Sequence, residues 1–94
     1  MTGRVFKTAL FSNATTKALI GDAELCDAIA QAVLGQCDDL GGGVFKKRLN
    51  QNRHRSIILA KGRDYWVYVY LFAKSARQNI DSKELSGFRR LAVL

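Results

Sequence analysis

In the run Tyr65 to Phe72, Tyr65, Val67, Val69 and Leu71 alternate with Trp66, Tyr68, Tyr70 and Phe72, and neither set is polar. A strand of this kind belongs inside a sheet, so the chain needs a helical layer to cover one of its faces. The other face is expected to be an aromatic platform. Arg55 to Ala60 is a second β-rich run, joined to the first through Lys61-Gly62-Arg63-Asp64 as a hairpin. Period-two alternation starts at Val44, with Val44, Lys46 and Arg48 on one side and Phe45, Lys47 and Leu49 on the other.

The first part of the chain has helical spacing. Val5 and Phe6 open the apolar pattern, and Leu10, Ala14 and Ala18 then predict a helix over about 8–19, ended by Gly21. Asp22 fits an N-cap for a second helix, whose stripe of Leu25, Ala28, Ile29, Ala32 and Val33 stops near Gly35. The two predict an antiparallel hairpin. Asp38 to Gly43 reads as turn chemistry, and its three glycines lack the strand and Lys-Ser/Thr helix of a phosphate-binding loop. Near the end, Asp81 and Glu84 have capping-box spacing, with Ile80 placed to staple against Leu85. The final helix starts near residue 82 and leaves Lys83, Arg89 and Arg90 for solvent or a ligand. The expected fold is α+β, an antiparallel twisted sheet packed on an N-terminal helical hairpin, in the order β-α-α-β-β-β-α.

At 94 residues, the apolar content serves one core, so residues 1–94 are expected to form a single domain. No apolar run reaches the ~20 residues that span a bilayer, and no signal-peptide pattern opens the chain, so a cytoplasmic protein without membrane association is expected. Cys26 and Cys37, eleven positions apart, would share one helix face as buried or inert thiols. With His54 the only histidine, neither a metal site nor a cofactor is expected.

Charge is the strongest pointer to function. The chain carries +7 overall, but residues 44–94 hold twelve basic and three acidic side chains, a surplus of nine. Such a concentration fits a polyanion or an acidic protein segment. No paired carboxylates or activated cysteine suggest themselves. The chemistry is concentrated in Lys46-Lys47-Arg48-Leu49-Asn50-Gln51-Asn52-Arg53-His54-Arg55, six cationic or imidazole side chains spread over two strands and their connection. It reads as either a solvated strand edge or a phosphate site. RNA carries its own nucleophile, the 2′-hydroxyl, so cleavage needs only a base, an acid and a cationic cradle. His54, Lys47, Lys74, Arg55 and Tyr70 have suitable chemistry.

Phe6-Lys7-Thr8, Asp39-Leu40-Gly41-Gly42-Gly43-Val44, and Phe72-Ala73-Lys74 with Arg77, Asn79-Ile80 and Glu84-Leu85 resemble RelE-type toxins of the RelE/ParE superfamily, in its HigB-like branch. The resemblance spans nearly the whole chain. It implies the toxin of a type II toxin-antitoxin system that cleaves messenger RNA in the ribosomal decoding site, restrained by a cognate antitoxin, a small DNA-binding protein. By position, Arg55 resembles the family arginine opening the strand after the basic loop, and Lys74 the lysine after the penultimate strand. Lys47 and Arg48 match the basic end of the preceding strand. The resemblance adds to the case for Arg55, Lys74 and Lys47 as catalytic candidates, His54 joins them by its imidazole chemistry alone, and Lys46, Arg48, Arg53, Lys61 and Arg77 are the expected RNA contacts. Two features depart from the family. His54 stands where relatives often carry an aromatic residue or glycine, and the loop Asn50 to Arg53 is shorter than in many of them. With Leu94 following soon after the last helix, residues that relatives place beyond that helix are expected to have no counterpart. A ParE-like toxin that inhibits a topoisomerase and an inactive basic interaction module remain alternatives.

Overall fold

The run Tyr65–Ala73 lies inside a five-stranded sheet, bonded on both sides. The computed structural model describes residues 4–62 and 65–94, so Arg63 and Asp64 of the expected hairpin turn lie outside the described residues. In chain order the elements are β1 (Arg4–Lys7), α1 (Ala9–Ala18), α2 (Asp22–Val33), β2 (Asp38–Gly41), β3 (Val44–Leu49), β4 (His54–Lys61), β5 (Tyr65–Ala73) and α3 (Ser82–Ala92). The strands run β1-β5-β4-β3-β2 across the sheet. The fold is α+β as expected, with two differences. β1 pairs with β5 in parallel, and Asp38–Gly41, read as a turn, is an additional strand, so the described residues hold five strands where four were expected. Asp-Asp-Leu-Gly has little β-propensity, and its strand form comes from pairing with β3. The turn itself is Gly42-Gly43. At Gly43, φ is 84°, and a Cβ would lie 3.2 Å from both the Ala60 carbonyl oxygen and the Ala92 Cβ, so only glycine fits unstrained.

Two cores lie on opposite faces of the sheet. The helical hairpin packs Phe11, Ile20, Leu25 and Ile29 onto Leu49, Ile58 and Tyr68, while α3 covers Ile57, Leu59 and Phe72 together with Ile80, Leu85 and Phe88. The expected open aromatic platform is therefore covered. A register shift between Ile57 and Ile58 opposes Tyr70 and Tyr68 and leaves Val69 as an extra residue in β5. Strict alternation consequently fails along β5: Val69 and Tyr70 both pack in the α3 cluster, whereas Tyr68 lies in the hairpin core.

Thr8 caps α1 by accepting from the Phe11 N–H. The buried residues of α1 are Phe11 and Thr15, and Leu10 is 80% exposed, because Phe11 stacks on Tyr68 with ring centroids 4.7 Å apart. The stripe expected from Leu10 is thus displaced by one residue. α1 ends in left-handed Leu19, not at Gly21; Gly21 instead precedes α2 as its N-cap, and Asp22 is the first helical residue. α2 stops at Val33, so Cys37 lies beyond it and shares no helix face with Cys26, which is exposed.

α3 has the expected capping box. Asp81 accepts from the Glu84 N–H at 2.7 Å, and Glu84 accepts from the Asp81 N–H at 2.9 Å. Asp81→Ala is expected to lower stability by about 1 kcal/mol, read as a fall in the urea midpoint with an unchanged slope. Among the described residues, no helix is long and apolar enough to cross a membrane.

Candidate functional site

The connection between β3 and β4 turns in three residues, Asn50, Gln51 and Asn52, with φ of 54°, 54° and 70°. Left-handed backbone costs an L-residue about 1–2 kcal/mol, least for asparagine, so three in succession need support. Asn50 supplies much of it: its N–H donates to the Glu24 carboxylate on α2, and its carbonyl accepts the Arg53 N–H at 3.1 Å. The Arg53 guanidinium closes over the turn, donating to the Asn50 carbonyl at 3.2 Å and to Asn50 Oδ1 and Gln51 Oε1 at 3.3 Å each. From the other side, Arg55 donates to the Asn52 carbonyl at 3.0 Å and the His54 carbonyl at 3.2 Å.

This turn forms one wall of an open cleft of about 610 Å³ lined by Gln51, Asn52, Arg53, His54, Ala73, Lys74 and Ser75. Strand pairing assembles it. His54 lies opposite Ala73, and the Lys74 N–H donates to the Arg53 carbonyl at 2.9 Å, so residues twenty-one positions apart meet at one end of the sheet. None of these lining residues is a carboxylate. His54 also borders a shallower depression with Lys17 of α1. Asn50 Nδ2 lies 3.1 Å from His54 Nδ1.

The other candidates fall elsewhere. Arg55 pairs with Phe72 and Arg48, which assigns it to the α3 face of the sheet, opposite to His54. Arg48 and Arg55 face each other directly across the strands, a destabilising like-charge pair. Lys46, Lys47 and Arg48 line a separate groove of about 210 Å³ with Gln36, Cys37 and Asp38. There Lys46 lies 3.6 Å from the Asp38 carboxylate. Burial pushes the Cys37 thiol up, the nearby Lys47 charge opposes this, and Asp38 and Asp39 add to the rise.

Two expected RNA contacts are engaged within the fold. Lys61 is at the opposite end of β4, about 23 Å along the strand from His54, and its ammonium donates to the Leu91 carbonyl at 2.7 Å at the end of α3. Arg77 grips Glu84 with two bonds of 3.1 and 2.5 Å, donates to the Asn79 carbonyl and the Tyr70 hydroxyl, and lies over the Phe72 ring. Those bonds raise the pKa of Arg77 and hold the Glu84 carboxyl below its usual range. Arg89, expected for solvent or a ligand, instead donates to the Leu40 and Gly41 carbonyls.

Sequence reasoning missed Lys17, Asn50 and Glu24. Lys17 carries no local signal. The Asn-Gln-Asn triplet does, since asparagine tolerates left-handed backbone in turns. Among the described residues, no three His, Cys, Asp or Glu side chains gather closely enough to hold a metal ion.

A family model described as the RelE toxin of the RelE/RelB toxin-antitoxin system matches residues 3–94. Searches of curated proteins and of solved structures returned no match. The family match takes in every strand and helix that builds the cleft, and the chain belongs to the RelE toxin family, whose members pair with an antitoxin.

Proposed function

We propose that this toxin is an endoribonuclease that cleaves messenger RNA on the ribosome, using the cleft beside His54. The observation that carries the reading is the convergence of Arg53, His54 and Lys74 on one open cleft lined by amides and cations and by no carboxylate. Cations placed where negative charge accumulates stabilise a phosphorane-like transition state, and RNA supplies the nucleophile. In the proposed reaction the 2′-oxygen attacks the adjacent phosphorus and the P–O5′ bond breaks. The 2′-proton passes to solvent water and the departing 5′-oxygen takes one from solvent water, leaving a 2′,3′-cyclic phosphate and a 5′-hydroxyl. Lys74 and Arg53 hold the phosphate, and His54 donates to it. Arg55, on the opposite face of the sheet, braces the turn through one guanidinium nitrogen, and with Arg48 it would meet only RNA that continues around the end of the sheet. Lys46 and Lys47 guide the strand in the neighbouring groove.

The run Phe72-Ala73-Lys74 through Arg77 to Asn79-Ile80 supports the HigB-like branch. The opposed Arg48 and Arg55 support an antitoxin segment of acidic character that covers the sheet's end, carried by a small DNA-binding protein. Primer extension on a translated message, with and without ribosomes, tests the reading. Cuts within the translated region that need ribosomes are the expected result. Intact messages accompanied by DNA damage would point to topoisomerase inhibition and overturn it.

A further inference from the structure

We infer that Asn50 is a positioning residue whose amide determines which ring nitrogen of His54 carries the proton, and that Glu24 holds Asn50 in the conformation this requires. The effect on rate rests on the cleft being the RNA-cleaving site; the effect on the ring stands without it.

Asn50 Oδ1 accepts from Arg53 at 3.3 Å, and a guanidinium can only donate. The amide oxygen is thereby assigned to the Arg53 side. Nδ2 then faces His54 Nδ1 at 3.1 Å. An amide nitrogen can only donate, so Nδ1 is the acceptor and the proton of the neutral ring resides on Nε2. Flipping the amide would turn its NH₂ group toward the guanidinium, donor against donor, so Arg53 locks the ring through Asn50. Among the described residues Nε2 has no partner, and it is the nitrogen left to donate to a phosphate oxygen. The opposite tautomer would present a lone pair to the same anion.

Glu24 belongs to α2 and lines no part of the cleft. Its carboxylate accepts the Asn50 N–H and anchors the first of the three left-handed residues. A turn that needed only to reverse the chain could use glycine here. Asn50 instead has its N–H, its carbonyl and both ends of its amide bonded, and each bond leads to Glu24, Arg53 or His54.

Because His54 is the only histidine, ¹⁵N correlation spectra of the labelled ring report on this site alone. The wild-type neutral ring is expected as the Nε2–H tautomer. Asn50→Gly keeps the left-handed backbone and the bond to Glu24 but removes the amide. It should yield a mixture of tautomers and slow single-turnover cleavage about a hundredfold, with KM changed much less. Asn50→Asp, which can only accept, should move the ring proton to Nδ1. Glu24→Gln retains an acceptor for the Asn50 N–H and should preserve both the wild-type tautomer and the rate, whereas Glu24→Ala should lose them. A wild-type ring protonated at Nδ1, or an Asn50→Gly ring with the wild-type signature, overturns the inference. Expected spectra from a wild-type protein that cuts no RNA would support the assignment and refute the cleavage reading.

Discussion

Replacing Lys74 by alanine is expected to leave the toxin folded and, under the proposed reading, to lower cleavage of a translated message by about 10²–10³-fold, the scale of removing one preorganised donor from a transition-state cradle. Lys74 suits this test because its two roles separate. Its N–H donates to the Arg53 carbonyl and closes the end of the sheet, and alanine retains that bond. Its side chain is exposed, and among the described residues it has no ion-pair or hydrogen-bond partner. Removing it should therefore change stability by no more than about 0.5 kcal/mol, verifiable by urea unfolding. Lys74→Arg keeps the charge and should recover much of the rate. Arg55→Ala is less clean, since Arg55 also supports the Asn52 and His54 carbonyls and its loss loosens the turn. Undiminished cleavage by folded Lys74→Ala would remove Lys74 from the site and, with it, the assignment of this cleft.

The features legible in the sequence are those that local chemistry determines. The capping box at Asp81 and Glu84 needs only four neighbouring residues, and β5 declares itself because every residue from Tyr65 to Phe72 is apolar or aromatic. β2 is invisible for the converse reason: Asp38–Gly41 is a strand only because β3 pairs with it. Nor does the pattern show the irregularity near Val69 that sends Tyr68 and Tyr70 to different cores. On α1, Leu10 and Phe11 both begin acceptable helical stripes, and the partner ring of Tyr68 decides between them.

The same distinction holds for the site. The basic segment 46–55 stands out in sequence, but strand alternation divides it, sending His54 and Arg55 to opposite faces. Lys61 and Arg77 are cations of the same type, yet one secures the end of α3 and the other its start. Charge counting cannot separate a phosphate contact from a structural ion pair, because the difference lies in which acceptor is within reach. Glu24 was the least accessible, since its partner is a backbone N–H twenty-six residues away.

Tyr68 should produce the largest stability effect. It is fully buried, stacks on Phe11, and donates its hydroxyl to the Leu25 carbonyl at 2.7 Å, joining the central sheet to both helices of the hairpin. Tyr68→Ala leaves a cavity in that core and should cost about 3–5 kcal/mol, a large part of the ~5–15 kcal/mol that stabilises a typical domain. Tyr68→Phe keeps the ring, loses the bond and should cost about 1 kcal/mol near neutrality. The phenylalanine variant also carries a distinct pH signature. Burial is the main cause that raises the phenol's pKa, with smaller contributions from Cys26 and Glu24. An unfolded tyrosine ionises near ~10, so above that pH the folded chain retains a proton that the unfolded chain releases. Stability from this group is complete below about pH 10 and falls as pH rises further, by about 1.4 kcal/mol per unit. Tyr68→Phe removes that slope. Urea midpoints at pH 8 and pH 11 should therefore show the wild-type advantage over Tyr68→Phe shrinking or reversing at the higher pH. An advantage that stays constant would mean that the phenol loses its proton equally readily in the folded and unfolded chains.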